Sequence, residues 1–242
     1  MRRVVVILSA LAGLCLVGVP AFAQAEDLWA RAVSFVSAQP KVAPQQVVSR
    51  FELLNSEGKT EHTRETHLRI SYGDSGDARV ELTKAIQDGQ DVTEKARSQE
   101  EARHSSARSE RRQGQIGFGP LEPEVQGRVK AHPLGQKRSI DGRVCLGYGF
   151  EQESGEEGKR LGEVWLDVNS GAPLAISFRP EPLPKHVSEL QTTVRYGPDE
   201  NGHWVAKEME VEGKASFLLI RKRFRSVTQF GAYVQVSPTQ RQ

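Results

Sequence analysis

Five groups of residues have the types that carry chemistry, and each is weighed first by its spacing. Gly73-Asp74-Ser75-Gly76 could present a nucleophilic serine. That chemistry needs a histidine base and an acid to orient it, whereas Gly, Asp and Ser between two alternating segments describe a hairpin turn. His62 and His67 bracket Glu65. Histidines that share a zinc on one helix stand four apart, and these stand five apart, so they read as exposed strand histidines. Gly147-Tyr148-Gly149 lacks a third glycine at position 152, which is Gln, so no dinucleotide loop is supported. Glu156 and Glu157 fit a solvated turn better than an acid–base pair. Cys145 stands in an alternating segment and reads as a small sheet or core residue. No catalytic, metal or cofactor residue is expected, and the chain is read as a non-enzyme.

The elements that must position these residues begin with a leader. Arg2 and Arg3 precede an apolar run from Val4 to about Pro20, then Ala21-Phe22-Ala23. Basic start, apolar middle and A-x-A end are the parts of a secretory signal, expected over residues 1–23. The mature chain would then be a single β-rich domain over 24–242, periplasmic or secreted, with no membrane span once the signal is removed. The full chain carries 33 Lys+Arg and 31 Asp+Glu. Without Arg2 and Arg3 the two kinds balance, which removes the charge argument for nucleic acid. Cys15 leaves with the signal, so Cys145 stands alone and no disulfide framework holds the fold.

Leu28, Trp29, Ala32, Phe35 and Val36 share one face of a helix over 27–38, ended by Pro40 and Pro44. The period then switches to two. Val47, Phe51 and Leu53, then Leu68, Ile70 and Tyr72, then Val80, Leu82 and Ile86 predict a three-strand antiparallel meander. Residues 91–113 are highly charged and read as a solvated helix or a loop. Ile116, Phe118 and Leu121 follow in a Gly/Pro-rich stretch, which predicts a flap laid on the sheet. From Val144 onward the alternation resumes: Leu146, Tyr148 and Phe150; Val164 and Leu166; Leu174, Ile176 and Phe178; Leu190 to Tyr196; Val205 to Val211; Leu218 to Phe230. Gly147 and Gly149 on one strand face predict a close approach by something else. About ten strands are expected, in one curved antiparallel sheet, a sandwich or a barrel. One modest helix is little cover for so long an apolar face, and an apolar hollow is a binding site in waiting.

Three runs extend this reading: Gly89-Gln90-Asp91-Val92-Thr93, Gly162-Glu163-Val164-Trp165-Leu166-Asp167 leading to Asn169-Ser170-Gly171-Ala172-Pro173, and the closing stretch from Phe224 to Tyr233. With the order of elements, they resemble the periplasmic carriers that sort lipoproteins to the outer membrane. The resemblance implies a half-open β-barrel with an N-terminal helix and a central helical or irregular lid over 91–125. It also implies a lipid or a lipidated protein as partner. The cavity would be lined by Phe51, Leu82, Phe118, Leu146, Trp165, Ile176 and Phe224. The alternative is a non-catalytic envelope scaffold that binds other proteins, its core filled by its own side chains.

Overall fold

The computed structural model describes residues 21–73, 78–106, 117–155, 158–217 and 220–236. The expected signal segment through residue 20 and most of the Gly73–Gly76 turn lie outside them, as do Glu156, Glu157 and Ile116.

Helix α1 (Ala21–Ser37) precedes β1 (Val42–Leu54), β2 (Thr60–Tyr72), β3 (Ala78–Gln87) and the two-residue β4 (Gln90–Asp91). Helix α2 (Thr93–Ser106) follows, and two 3-10 turns, Gly119–Leu121 and Pro123–Arg128, lead into β5 (Val129–Ile140). The remaining strands are β6 (Arg143–Glu153), β7 (Lys159–Asp167), β8 (Pro173–Glu181), β9 (Val187–Pro198), β10 (Trp204–Phe217) and β11 (Ile220–Gln235). All eleven form one sheet in the order β4-β3-β2-β1-β11-β10-β9-β8-β7-β6-β5, every pair antiparallel.

All eleven strands succeed one another as sheet neighbours within two runs, β1–β4 and β5–β11. The runs are joined by a single long-range pairing, β1 against β11, with Val47 opposite Phe230 and Leu53 opposite Phe224. The outer strands β4 and β5 are not paired with each other, so the sheet is not closed. Sequence alternation located most of these strands. Strands are expected again after Gly127, but β5 itself carries no clean alternation, because Lys130, His132, Lys137 and Arg138 interrupt it.

Paired residues share a face, and the registers divide the sheet cleanly. Across the sheet from β3 to β6, one face carries in succession Leu82, Leu68, Val47, Phe230, Met209, Val194, Ile176, Val164 and Tyr148. Helix α1 lies on this face, with Leu28, Ala32 and Val36 buried against it. Trp29 meets Tyr148 of β6 at 5.5 Å between ring centres, and Phe35 meets Trp204 of β10 edge-on at 5.9 Å. Those strands stand four apart in the sheet, about 19 Å if it were flat. Two residues about one and two-thirds turns apart on a single helix reach both, so the sheet curls around α1. Burying each large aliphatic side chain of that face contributes ~2 kcal/mol.

Turn chemistry fixes the strand ends. Asp167 accepts the N–H groups of Asn169 and Ser170 at 2.8 and 3.0 Å, and Asn55 accepts those of Glu57 and Lys59. Arg31 of α1 then donates to the carbonyls of Val168 and Asn169, tying the helix to the β7–β8 turn.

The charged central segment is helical as far as the described residues go. It does not cover the core. Helix α2 sits against β3, where Arg97 donates to the Leu82 carbonyl at 3.0 Å and Thr93 Oγ1 accepts the Ala85 N–H. It thereby occupies backbone groups of a strand whose outer side β4 covers only at one end. Of the expected lid over 91–125, residues 107–116 lie outside the described residues; within the described ones, α2 lies at the β3 edge and residues 117–128 pack on the sheet.

Candidate ligand-binding groove

The cover is the flap foreseen from Phe118 and Leu121. Leu121 is 0 % exposed. Phe118 stacks on Tyr196 of β9 at 5.1 Å, and the Tyr196 hydroxyl donates to the Gly117 carbonyl at 2.9 Å. Trp29 Nε1 donates to Gln126, whose Nε2 donates to the carbonyls of Pro120 and Glu122. Burial holds the Tyr196 phenol well above its ordinary range and the Glu122 carboxyl above the usual carboxylate value. Glu122 nonetheless accepts the Phe118 N–H at 3.0 Å, which ties the start of the flap to its middle.

Helix and flap together cover only part of the concave face. Beneath them Tyr148, Val164, Leu166, Ile176, Val194 and Tyr196 are buried. Toward the other end of the same face the strands continue without cover from any described residue. Phe51 of β1 and Phe224 of β11 stack there at 6.4 Å, and Phe51 remains 37 % exposed. Leu53, Val211, Leu190 and Phe178, all half-buried, share that face by register. Phe224 lies directly over Gly213, where a Cβ would come within 2.4 Å of its ring. A side chain at 213 would therefore displace Phe224.

The sheet also opens here. Strands β8 and β9 pair only from Ala175–Arg195 to Phe178–Thr192, after which β8 continues with β7 and β9 with β10. The gap holds a cleft of about 390 Å³ lined by Arg179, Leu183, Leu190, Gln191, Gly213 and Phe224. A second hollow of about 340 Å³ opens beside the flap between Val36, Phe118, Glu122, Trp204 and Tyr233. Both hollows are open and mixed in character: Leu183, Leu190 and Phe224 share the cleft with Glu189, Glu212, Lys214, Arg223 and Arg225, and Lys41 and Glu124 border the hollow beside the flap.

The residues expected to line one cavity are distributed as follows. Phe51 and Phe224 meet in the groove. Ile176 and Leu146 belong to the packed core region, Phe118 to the flap, and Leu82 lies on β3 beside α2. Trp165 is a correction: it pairs with Gly147 and Ala175 on the opposite face. There it lies within 3.0 Å of where a Cβ on Gly147 would sit, under the Arg138 guanidinium at 3.7 Å from its ring centre. His132 fills the space over Gly149. These are the close approaches the two glycines foretold. Phe178, Leu190 and Val211 were legible as strand residues but not as groove residues, because no local signal says where a cover stops.

The other chemical candidates have structural partners. His62 pairs with Asp88 and His67 with Glu65, each on its own. No group of three or more His, Cys, Asp or Glu able to hold a metal occurs among the described residues. Cys145 is buried, which pushes its thiol up, away from reactivity. No helix among the described residues is long and apolar enough to cross a membrane.

No family model and no curated protein matches the chain. Among solved structures, it is similar to a LolA-superfamily protein from Nitrosomonas europaea, with 14% identity and a TM-score of 0.38 over 88% of this chain and 94% of that one. An outer-membrane lipoprotein-sorting protein domain from Vibrio parahaemolyticus gives 13%, 0.35, 88% and 91%. MucB in the MucA/MucB complex of Pseudomonas aeruginosa gives 11%, 0.23, 88% and 99%. At these scores the likenesses carry no argument, and the fold rests on the strand pairing itself. One continuous antiparallel sheet, curled around a helix, covered at one end and unclosed at its edges, makes this chain a half-open β-barrel.

Proposed function

We propose that this chain is an exported, non-catalytic binding protein that holds an apolar ligand, a lipid or the acyl chains of a lipoprotein, in the groove of its concave face. Residues 1–23 serve as the secretory signal and 24–242 as the working domain in the periplasm or outside medium. The observation that carries the reading is the exposed Phe51–Phe224 stack, set among Phe178, Leu190 and Val211 on the face that elsewhere is the core. Each buried methylene of an alkyl chain contributes ~0.8 kcal/mol, so such a surface retains an acyl chain without a specific polar contact. The sequence resemblance to lipoprotein-sorting carriers points the same way.

A second reading has its own support. Much of the concave face is already filled by α1 and the flap, as in a protein-binding module with a self-filled core. Native mass spectrometry with lipid extraction, on protein purified from its own envelope fraction, separates the two. A co-purifying acylated species that exchanges with added phospholipid is the expected result. A clean protein mass that takes up no lipid would transfer the assignment to a protein partner.

A further inference from the structure

Arg160 stands at the β7 end of the groove. Register sets it opposite Gln152 on β6 and Pro180 on β8, on the concave side, two residues before Gly162, which faces Phe178. Its guanidinium carbon lies 5.3 Å from the centre of the Phe178 ring, and the residue is exposed. The nearest carboxylates by register do not neutralise it. Glu151 and Glu181 project from the opposite face and share Lys159, at 3.3 and 3.4 Å. Glu122 of the flap lies within electrostatic range of Arg160, but it is half withdrawn from solvent and engaged with the Phe118 N–H. Among the described residues Arg160 forms no ion pair.

Its cross-strand neighbour is the second anomaly. Gln152 is 8 % exposed, two residues beyond the core residue Phe150 on the same face, and its buried Oε1 has no hydrogen-bond partner among the described residues. An unsatisfied buried polar atom is costly to fold around and calls for something that completes it. A cation with no ion pair and an acceptor with no donor among the described residues thus sit side by side where the apolar groove ends.

Resting on the groove reading above, we propose that Arg160 and Gln152 form a head-group site, so that the ligand is an anionic amphiphile. Its phosphate or carboxylate sits on the Arg160 guanidinium, its alkyl chain runs from Phe178 toward Phe224, and a hydroxyl or amide N–H beside the anion donates to Gln152. Arginine suits the role because its planar fork matches either oxyanion and stacks on a ring face.

Calorimetric titration with four probes tests this: dodecanol, dodecanoate, dodecyl phosphate and lysophosphatidylglycerol. Wild-type protein is expected to bind one or both simple dodecyl anions at least tenfold more tightly than dodecanol. A preference for the phosphate alone identifies a phospholipid-type ligand, and equal preference a fatty-acid-type carboxylate as well. Arg160→Gln should erase the preference while leaving dodecanol affinity and thermal unfolding unchanged, and Arg160→Lys should restore part of it. Gln152→Met should weaken lysophosphatidylglycerol, whose glycerol hydroxyls can donate, and leave dodecyl phosphate unaltered. Dodecanol binding with no preference for the anions, or a preference that survives Arg160→Gln, overturns the head-group site and leaves the groove standing. Failure of every probe, dodecanol included, overturns the groove and the site together.

Discussion

Phe224 and Gly213 face each other across the β10–β11 ladder, and the groove depends on that meeting of a ring with a bare backbone. Phe224→Asp places a charge where an alkyl chain would lie. Its expected effect is at least a tenfold loss in affinity for dodecanol by calorimetry, with little change in unfolding temperature, because the residue is only half-buried. Trp165→Phe, on the opposite face, should leave that affinity unchanged; a loss equal to that of Phe224→Asp would place the ligand elsewhere. Trp165 also shows how residue-level reading goes astray. Strand parity puts it opposite Val164 and Leu166, yet the size of an indole suggests the core. Here the indole is buried instead by Arg138 and by the space above Gly147. Parity was the better guide, because a one-residue step along a strand always changes face.

At the scale of elements, two of the three segments that carry the resemblance contain a helix cap or a turn, and the third is strand β11. Asp91 accepts the Thr93 N–H at the start of α2, and Asp167 closes the β7–β8 turn while pairing with Arg143 at 3.2 Å. Burial would raise the Asp167 carboxyl, but the N–H groups of Ser170 and Asn169 and the Arg143 guanidinium outweigh it and hold the value below the ordinary range. The ionised form is therefore preferred in the folded state. Its contribution is complete above the unfolded value, about 4, and is lost as pH falls through the lower folded value. Asp167→Asn should cost ~2 kcal/mol at neutral pH. In urea unfolding at several pH values, the gap to wild type should narrow below pH ~4. A gap that is flat down to pH ~2 would remove Asp167 from the turn's energetics. The flap makes a separate claim. Tyr196→Phe deletes its bond to the Gly117 carbonyl and should raise amide exchange over 117–128 at a stability cost of ~1 kcal/mol. Unchanged exchange there would mean that Phe118 stacking and Leu121 burial hold the flap unaided. The flap was legible because Phe118 and Leu121 in a Gly/Pro-rich stretch needed a surface. The place of α2 at the β3 edge was not, since Arg97 finds its carbonyls only once β3 has an open side.

For the whole molecule, hairpin order was written along the chain in alternation and turn residues, and the sequence sufficed for an antiparallel sheet with an N-terminal helix. What joins the two runs of strands is β1 on β11, a pairing across nearly the full chain, to which no local pattern points. The extent of the cover is likewise a tertiary fact. Val194 and Leu190 alternate identically on β9, yet one is buried beneath helix and flap and the other borders the open cleft. If the groove holds an apolar ligand, that open end is where it lies. Photo-crosslinking with a diazirine-bearing fatty acid, mapped by peptide mass spectrometry, tests it most directly. Adducts confined to concave-face residues of β1, β8, β9, β10 and β11, with Phe51, Phe178 and Phe224 among them and all competed away by unlabelled lipid, are the predicted result. Adducts on the Trp165 face, or none that lipid displaces, would contradict it.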